Sequence, residues 1–224
     1  MRKREFKNIE WSLLVVAIIL SIIGLIALFS ATQEAGYDEF NKQCIWMVVS
    51  LIVMMAILFI DYDIIVRFSP ILYGIGIVLL FAVLFTEPIN GASSWFNIGF
   101  FSFQPGELAK IFVVLFLVFV ISKIQEKSKK EINRPTRLLI ALATIALPVL
   151  LILKQPDIGT ATAFLIATAL MLIISGLDKK YIILTTILII IAIPLIYNFA
   201  LPLHAKQRID IFLNPELEPR GARI

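Results

Sequence analysis

From Trp11 to Ala31 the chain carries no charged side chain, and equally uncharged runs follow at Phe68 to Thr86, Ile158 to Leu177 and Tyr181 to Leu203. Apolar runs of roughly 17–25 residues cross about 30 Å of hydrocarbon as helices, which satisfy their own backbone polar groups where no water can. Cys44 to Ile60 stands at the short limit. Leu138 to Leu153 is slightly shorter, and Pro148 within it predicts a kink that a helix bundle tolerates. Ile111 to Ser122 spans only if its helix begins near Pro105 and takes Glu107 and Lys110 into its first turns. The predicted spans are thus 11–31, 44–60, 68–86, 105–122, 138–153, 158–177 and 181–203. They make residues 1–224 a single all-α, polytopic membrane domain with seven transmembrane helices.

Composition excludes the other broad classes. With 60% hydrophobic and 16% charged residues, and 17 Phe among 224, the chain is not a water-soluble globule. The single Cys44 excludes an internal disulfide, and one Cys with one His is too few for a zinc site. Neither a metal nor a cofactor is expected. The first apolar run lacks a short hydrophobic region with a small-residue cleavage site, and it reads as a signal anchor.

Lys and Arg in the short connections set the orientation. With the N-terminus in the cytoplasm, Arg2, Lys3, Arg4, Lys7, Arg67, Lys123, Lys127, Lys129, Lys130, Arg134, Arg137, Lys179 and Lys180 all fall inside. The other side receives Lys42 and Lys154, then a tail with Lys206, Arg208, Arg220 and Arg223. The C-terminus is therefore predicted to be extracytoplasmic. The net charge of +4 is mostly this asymmetry, and nothing in it suggests a nucleic-acid face. Residues 86–104 form an outside loop whose Trp95, Phe96, Phe100 and Phe101 suit the headgroup level, and the polar tail from His204 carries Pro215 and Pro219.

Within this frame one device occurs twice. Gln104-Pro105-Gly106-Glu107 precedes one apolar run and Gln155-Pro156-Asp157 precedes another, both on the outer side. Pro is favoured at the first helical position and an acid there meets the positive end of the helix dipole, so each motif reads as a helix start. Carboxylates at a bilayer boundary are costly to bury and also mark working sites. Glu107 and Lys110, three apart on one helical face, predict an ion pair in a cavity wall. Asp157 has no cation three or four residues later; Gly159, Thr160 and Thr162 follow it and predict tight packing on a neighbour. Lys206-Gln207-Arg208 reads either as an interfacial anchor or as a site for a phosphorylated lipid headgroup.

The chain resembles the SEDS family of bacterial cell-wall polymerases, whose members RodA, FtsW and SpoVE serve elongation, division and sporulation. The matching stretches are Gly91-Ala92-Ser93-Ser94-Trp95-Phe96, Phe103-Gln104-Pro105-Gly106-Glu107-Leu108-Ala109-Lys110, Gln155-Pro156-Asp157-Ile158-Gly159-Thr160, and Gln207-Arg208-Ile209 leading to Phe212-Leu213-Asn214-Pro215-Glu216. The resemblance implies a glycosyltransferase of the bacterial cytoplasmic membrane that polymerises lipid II on the outer face, partnered by a class B penicillin-binding protein. It makes Trp95, Gln104, Glu107, Lys110, Gln155, Asp157, Thr160, Gln207 and Arg208 the candidate walls of the lipid-linked substrate site.

Two residues depart from the family pattern: Ser94 stands where relatives often carry Arg, and Gly106 where they usually carry Ser. Full-length relatives have about ten spans of bilayer length. Their proposed catalytic Asp lies late in the large outside loop, and no residue here matches it. The expectation is a parent that polymerises lipid II, with this chain a truncated, inactive form. The parent's chemistry requires a general base to activate a sugar hydroxyl, with cations to stabilise the departing diphosphate. A flippase of a lipid-linked precursor, or a non-catalytic scaffold for the penicillin-binding protein, would carry the same polar residues.

Overall fold

The computed structural model describes residues 10–33, 36–88, 92–99, 101–195, 197–198 and 206. Seven helices account for most of them: α1 (Trp11–Ala31), α2 (Asp38–Leu58), α3 (Tyr62–Ala82), α4 (Pro105–Ile124), α5 (Pro135–Lys154), α6 (Ile158–Ile174) and α7 (Lys179–Leu195). Among the described residues four segments are long and apolar enough to cross a membrane: Trp11–Ala31, Asp38–Leu58, Tyr62–Phe85 and Pro135–Lys154; Ile158–Ile174 is a shorter apolar helix.

Four helices start earlier than their apolar runs predict: α5 at Pro135 rather than Leu138, α7 at Lys179 rather than Tyr181, and, by six residues each, α2 and α3. α2 begins at Asp38 rather than Cys44, because Asp38 and Glu39 suit the helix dipole and Lys42 pairs with Glu39 at 2.8 Å. α3 begins at Tyr62 rather than Phe68, with Asp63 in its first turn. The connection between α3 and α4 also holds a two-stranded antiparallel hairpin, β1 (Phe96–Ile98) with β2 (Phe101–Phe103), in which Phe96 pairs with Phe103. Gly99 stands in its connection at φ +63°, a conformation that costs glycine nothing.

The chain divides into two compact units, Met1–Phe68 and Ser69–Ile224. In the first, α1 and α2 have no buried residues and present Ile, Leu and Val outward, as lipid-facing helices do. Phe29 stacks on Tyr37 and meets Phe40 edge-on, both at 5.3 Å between centroids, and so closes the connection between the two helices.

The second unit holds the core. On α4, Ala109, Val113, Leu117 and Ile121 recur at helical spacing and form one buried stripe. Ala141, Ile145, Val149 and Ile152 of α5 and Ala161, Phe164 and Leu172 of α6 pack with that stripe, joined by Leu80 and Ile132. Gly76 lets α3 approach α4: a Cβ there would meet Ala109 Cα at 3.5 Å and Phe112 Cδ2 at 3.4 Å. At one end of this three-helix core lie the starts of α4 and α6.

Candidate functional site

The two Gln-Pro-acid motifs begin helices in different ways. Gln104 precedes α4 with extended backbone, Pro105 is the first helical residue, and Glu107 lies in the first turn. Pro at that position needs no hydrogen-bond partner for a missing N–H. At the second start Pro156 stands outside the helix, and Asp157 is the cap. Its Oδ1 accepts from the Thr160 backbone N–H at 3.0 Å, satisfying one donor that the helix start leaves free.

The motifs also bond to each other. Gln104 Nε2–H donates to Asp157 Oδ2 at 2.9 Å and to Thr160 Oγ1 at 3.3 Å, while Thr160 Oγ1–H donates to Asp157 Oδ2 at 2.8 Å. Asp157, a lone acid by sequence, therefore sits in a partly buried cluster that joins α4 to α6 across 53 residues. No Lys or Arg reaches it among the described ion pairs. The tight approach at this junction is made by Gly106, whose added Cβ would stand 3.1 Å from Thr160 Cγ2. Gly159 contributes no such contact: it is exposed, and a Cβ there would meet only Asp157 Oδ1 at 3.7 Å. Thr162 turns back instead, its hydroxyl donating to Ile158 O at 2.8 Å.

Glu107 and Lys110 form the ion pair that their spacing predicts, with Lys110 Nζ 2.9 Å from Oε1 and 3.1 Å from Oε2. The Lys110 side chain is 24% exposed and that of Glu107 60%, so the acid lies off the packed face that holds Pro105, Gly106 and Ala109. Gln155 goes the other way. It is 1% exposed, and its Nε2–H donates to Leu80 O at 3.2 Å, near the end of α3 where helix carbonyls run short of donors. Gln155 thus ties α3 to the α5–α6 connection, a role its sequence gave no signal for.

Trp95 is half-exposed beside β1, and Ser94 before it is 1% exposed, its hydroxyl without a hydrogen-bond partner among the described residues. Gln207 and Arg208, like His204, lie outside the described residues. Lys206 turns back on Tyr197 and Asn198, which lie beyond the end of α7, donating to Asn198 O at 3.0 Å with its ammonium 5.7 Å from the Tyr197 ring centroid. The structure therefore brings Gln104, Asp157 and Thr160 into one cluster, with Glu107 and Lys110 paired within the first two turns of α4.

The family model for FtsW, RodA and SpoVE, described as cell cycle protein, matches residues 10–223. The chain belongs to that family. Among relatives of this SEDS chain, the peptidoglycan glycosyltransferase MrdB of Escherichia coli K12 is 30% identical over 96% of the chain, and RodA of Treponema pallidum is 30% identical over 81%. A probable peptidoglycan glycosyltransferase FtsW of Geobacter sulfurreducens is 27% identical over 96%. The SEDS chain spans 57%, 42% and 59% of the lengths of these three proteins. A chain from a peptidoglycan synthase complex, solved for its coordination of polymerization and crosslinking, superimposes with a TM-score of 0.79 at 25% identity, covering 96% of this chain and 62% of that one. RodA of Thermus thermophilus shares the fold, with a TM-score of 0.71 at 24% identity over 84% of this chain and 60% of its own. The predominantly helical, multi-pass membrane architecture follows from these likenesses and from the apolar helices together.

Proposed function

We propose that this chain supplies the outer-face wall of a peptidoglycan glycosyltransferase that polymerises lipid II. The observation that carries the reading is the junction of the two family motifs, where Gln104, Asp157 and Thr160 lock the starts of α4 and α6 together beside the Glu107–Lys110 pair. Relatives at 30% identity that bear the name peptidoglycan glycosyltransferase support it. The N-terminus is cytoplasmic in this reading, which puts both motifs and Trp95 on the side where lipid II is polymerised. A class B penicillin-binding protein crosslinks the product.

Within the site the chain's own acids position rather than react. Asp157 is engaged by Gln104 and Thr160 in joining α4 to α6, and Glu107 by Lys110 on the surface of α4. Arg208 holds diphosphate, which its planar fork suits. The base lies outside these residues, and the 224-residue chain alone does not polymerise lipid II.

A chimera tests this directly. Residues 1–224 replace the matching stretch of the Escherichia coli relative, and lipid II polymerisation is followed on gels of labelled glycan. Glycan strands from the chimera, and none from the isolated chain, are expected. A chimera that elutes as a folded species yet makes no glycan would overturn the polymerase reading. Glycan from the isolated chain at the relative's rate would overturn the assignment of the base.

A further inference from the structure

The opposite end of the core carries a concentration of charge. Lys123, Lys127, Lys129, Lys130, Arg134, Arg137, Lys179 and Lys180 are all exposed there, and the only acids among them in sequence are Glu126, Glu131 and Asp178. Glu131 pairs with Arg134 at 3.0 Å and Asp178 with Lys180 at 3.7 Å. Lys123, Lys127, Lys129, Lys130, Arg137 and Lys179 have no carboxylate within 4.0 Å among the described residues.

These cations stand on a fixed platform. Ser128 opens a 3-10 turn at Lys129–Asn133, its hydroxyl accepting from the Lys130 backbone N–H at 3.3 Å, and Ile132 is fully buried in the core beneath. Asn133 clamps this turn to the α6–α7 connection: its Nδ2–H donates to Gly176 O at 3.1 Å, and its Oδ1 accepts from the Asp178 backbone N–H at 2.7 Å. Tyr181 Oη–H donates to Asn133 O at 3.0 Å, and Gln125 Nε2–H donates to Ser175 O at 2.6 Å. The connection itself is rigid, since Leu177 N–H donates to Leu172 O and Gly176 N–H to Ile173 O around Gly176 at φ +92°, the closed helix ending that glycine permits.

The change from apolar to basic is abrupt at this platform. Leu139 is 67% exposed next to Arg137, and Ile174 is 85% exposed just before the turn that leads to Lys179. Exposed aliphatic side chains of this kind lie in hydrocarbon, so the cations stand within a side chain's length of the phosphate layer. Topological orientation needs only the number of positive charges near a helix end. It does not need them mounted on a platform tied together by five side-chain bonds.

We infer that this platform is a binding surface for anionic phospholipid headgroups, whose phosphates bridge the 3-10 turn and the α6–α7 connection. An acidic protein fits less well, because the platform ends at the membrane edge rather than projecting from it. The inference rests on the bilayer boundary alone and is independent of the polymerase reading and of which leaflet the platform faces.

The test uses the 224-residue chain in phosphatidylcholine bilayers carrying traces of spin-labelled phosphatidylglycerol or spin-labelled phosphatidylcholine, with electron paramagnetic resonance reporting the motionally restricted fraction of each. Phosphatidylglycerol is expected to be preferred, and the combined Lys127→Gln, Lys129→Gln and Lys130→Gln variant to lose about threefold of that preference. Lys154→Gln, at the other end of α5, is expected to leave it unchanged. Raising salt weakens the preference, because exposed charges are screened over about 10 Å at 0.1 M. Inorganic phosphate at matched ionic strength displaces nothing if a lipid surface is the ligand, whereas specific displacement by it would identify a free-phosphate site and overturn the lipid assignment. Equal restriction of both lipids by the wild-type chain overturns the inference, and that measurement decides even if the triple variant fails to fold. A triple variant that folds and keeps the full preference overturns it too.

Discussion

Gln104-Pro105-Gly106-Glu107 and Gln155-Pro156-Asp157 share a spelling and are used in opposite ways. In the first, the proline is buried, the acid is exposed, and the glutamine reaches across to another helix. In the second, the proline is exposed, the acid is drawn into a hydrogen-bonded cluster, and the glutamine is buried against the end of α3. The difference starts with register. Two residues separate Glu107 from the cap position of α4, whereas Asp157 occupies that position on α6, one residue after its proline. A side chain at the cap faces the free amides of its own helix; one in the first turn projects from the helix surface. A glutamine, a proline and an acid therefore place the acid in a surface ion pair at one site and in the interhelical lock with Gln104 at the other.

That contrast can be broken most forcefully at Asp157. Asp157→Ala removes the cap and leaves Gln104 without its main acceptor, and a loss of about 2–3 kcal/mol is expected in detergent unfolding experiments. A loss no larger than that of an exposed substitution would mean the lock carries no weight. Next comes Gln155→Ala, where a buried carbonyl loses its donor and a cavity opens; about 1–3 kcal/mol should be lost, read as a lowered thermal midpoint. The junction's geometry is sharpened by a cycle of Gly106→Ala and Thr160→Ser. Alanine at 106 crowds the Thr160 methyl and serine removes that methyl, so the pair should couple by about 0.5–1 kcal/mol, whereas simple additivity would place the contact elsewhere. The smallest effect belongs to Glu107→Gln, expected at about 0.5 kcal/mol or less because the acid is largely solvent-facing. A change there as large as at Asp157 would erase the distinction between the two motifs.

Much of the frame was legible in the chain, and the reasons for the gaps are physical. Uncharged runs announce helices because the bilayer allows little else, so the seven elements could be placed by length and charge. Their starts at Asp38 and Tyr62 were hidden because polar residues extend a helix beyond its apolar stretch, and dipole and ion-pair terms fix that end rather than hydropathy. The Glu107–Lys110 pair was readable because both partners lie within one turn. The bond from Gln104 to Asp157 was not, since no periodicity connects residues 53 apart. Gln155 gave least away: an amide that satisfies a distant carbonyl looks in sequence like any polar residue at a helix end. The hairpin at Phe96–Phe103 was hidden for a related reason, because its aromatic content suited the headgroup layer equally well as a loop.

The lock between α4 and α6 also has a meaning for how the molecule is made. Gln104 leaves the ribosome 53 residues ahead of its acceptor, so the start of α4 meets the membrane with that amide still served by water or headgroups. Only when α5 has turned back and α6 is beginning does Asp157 arrive to take it, with Thr160 three residues later. Closure of this junction is therefore a late event in membrane assembly that registers the arrival of three consecutive helices, and Gly106 keeps the space open until Thr160 fills it.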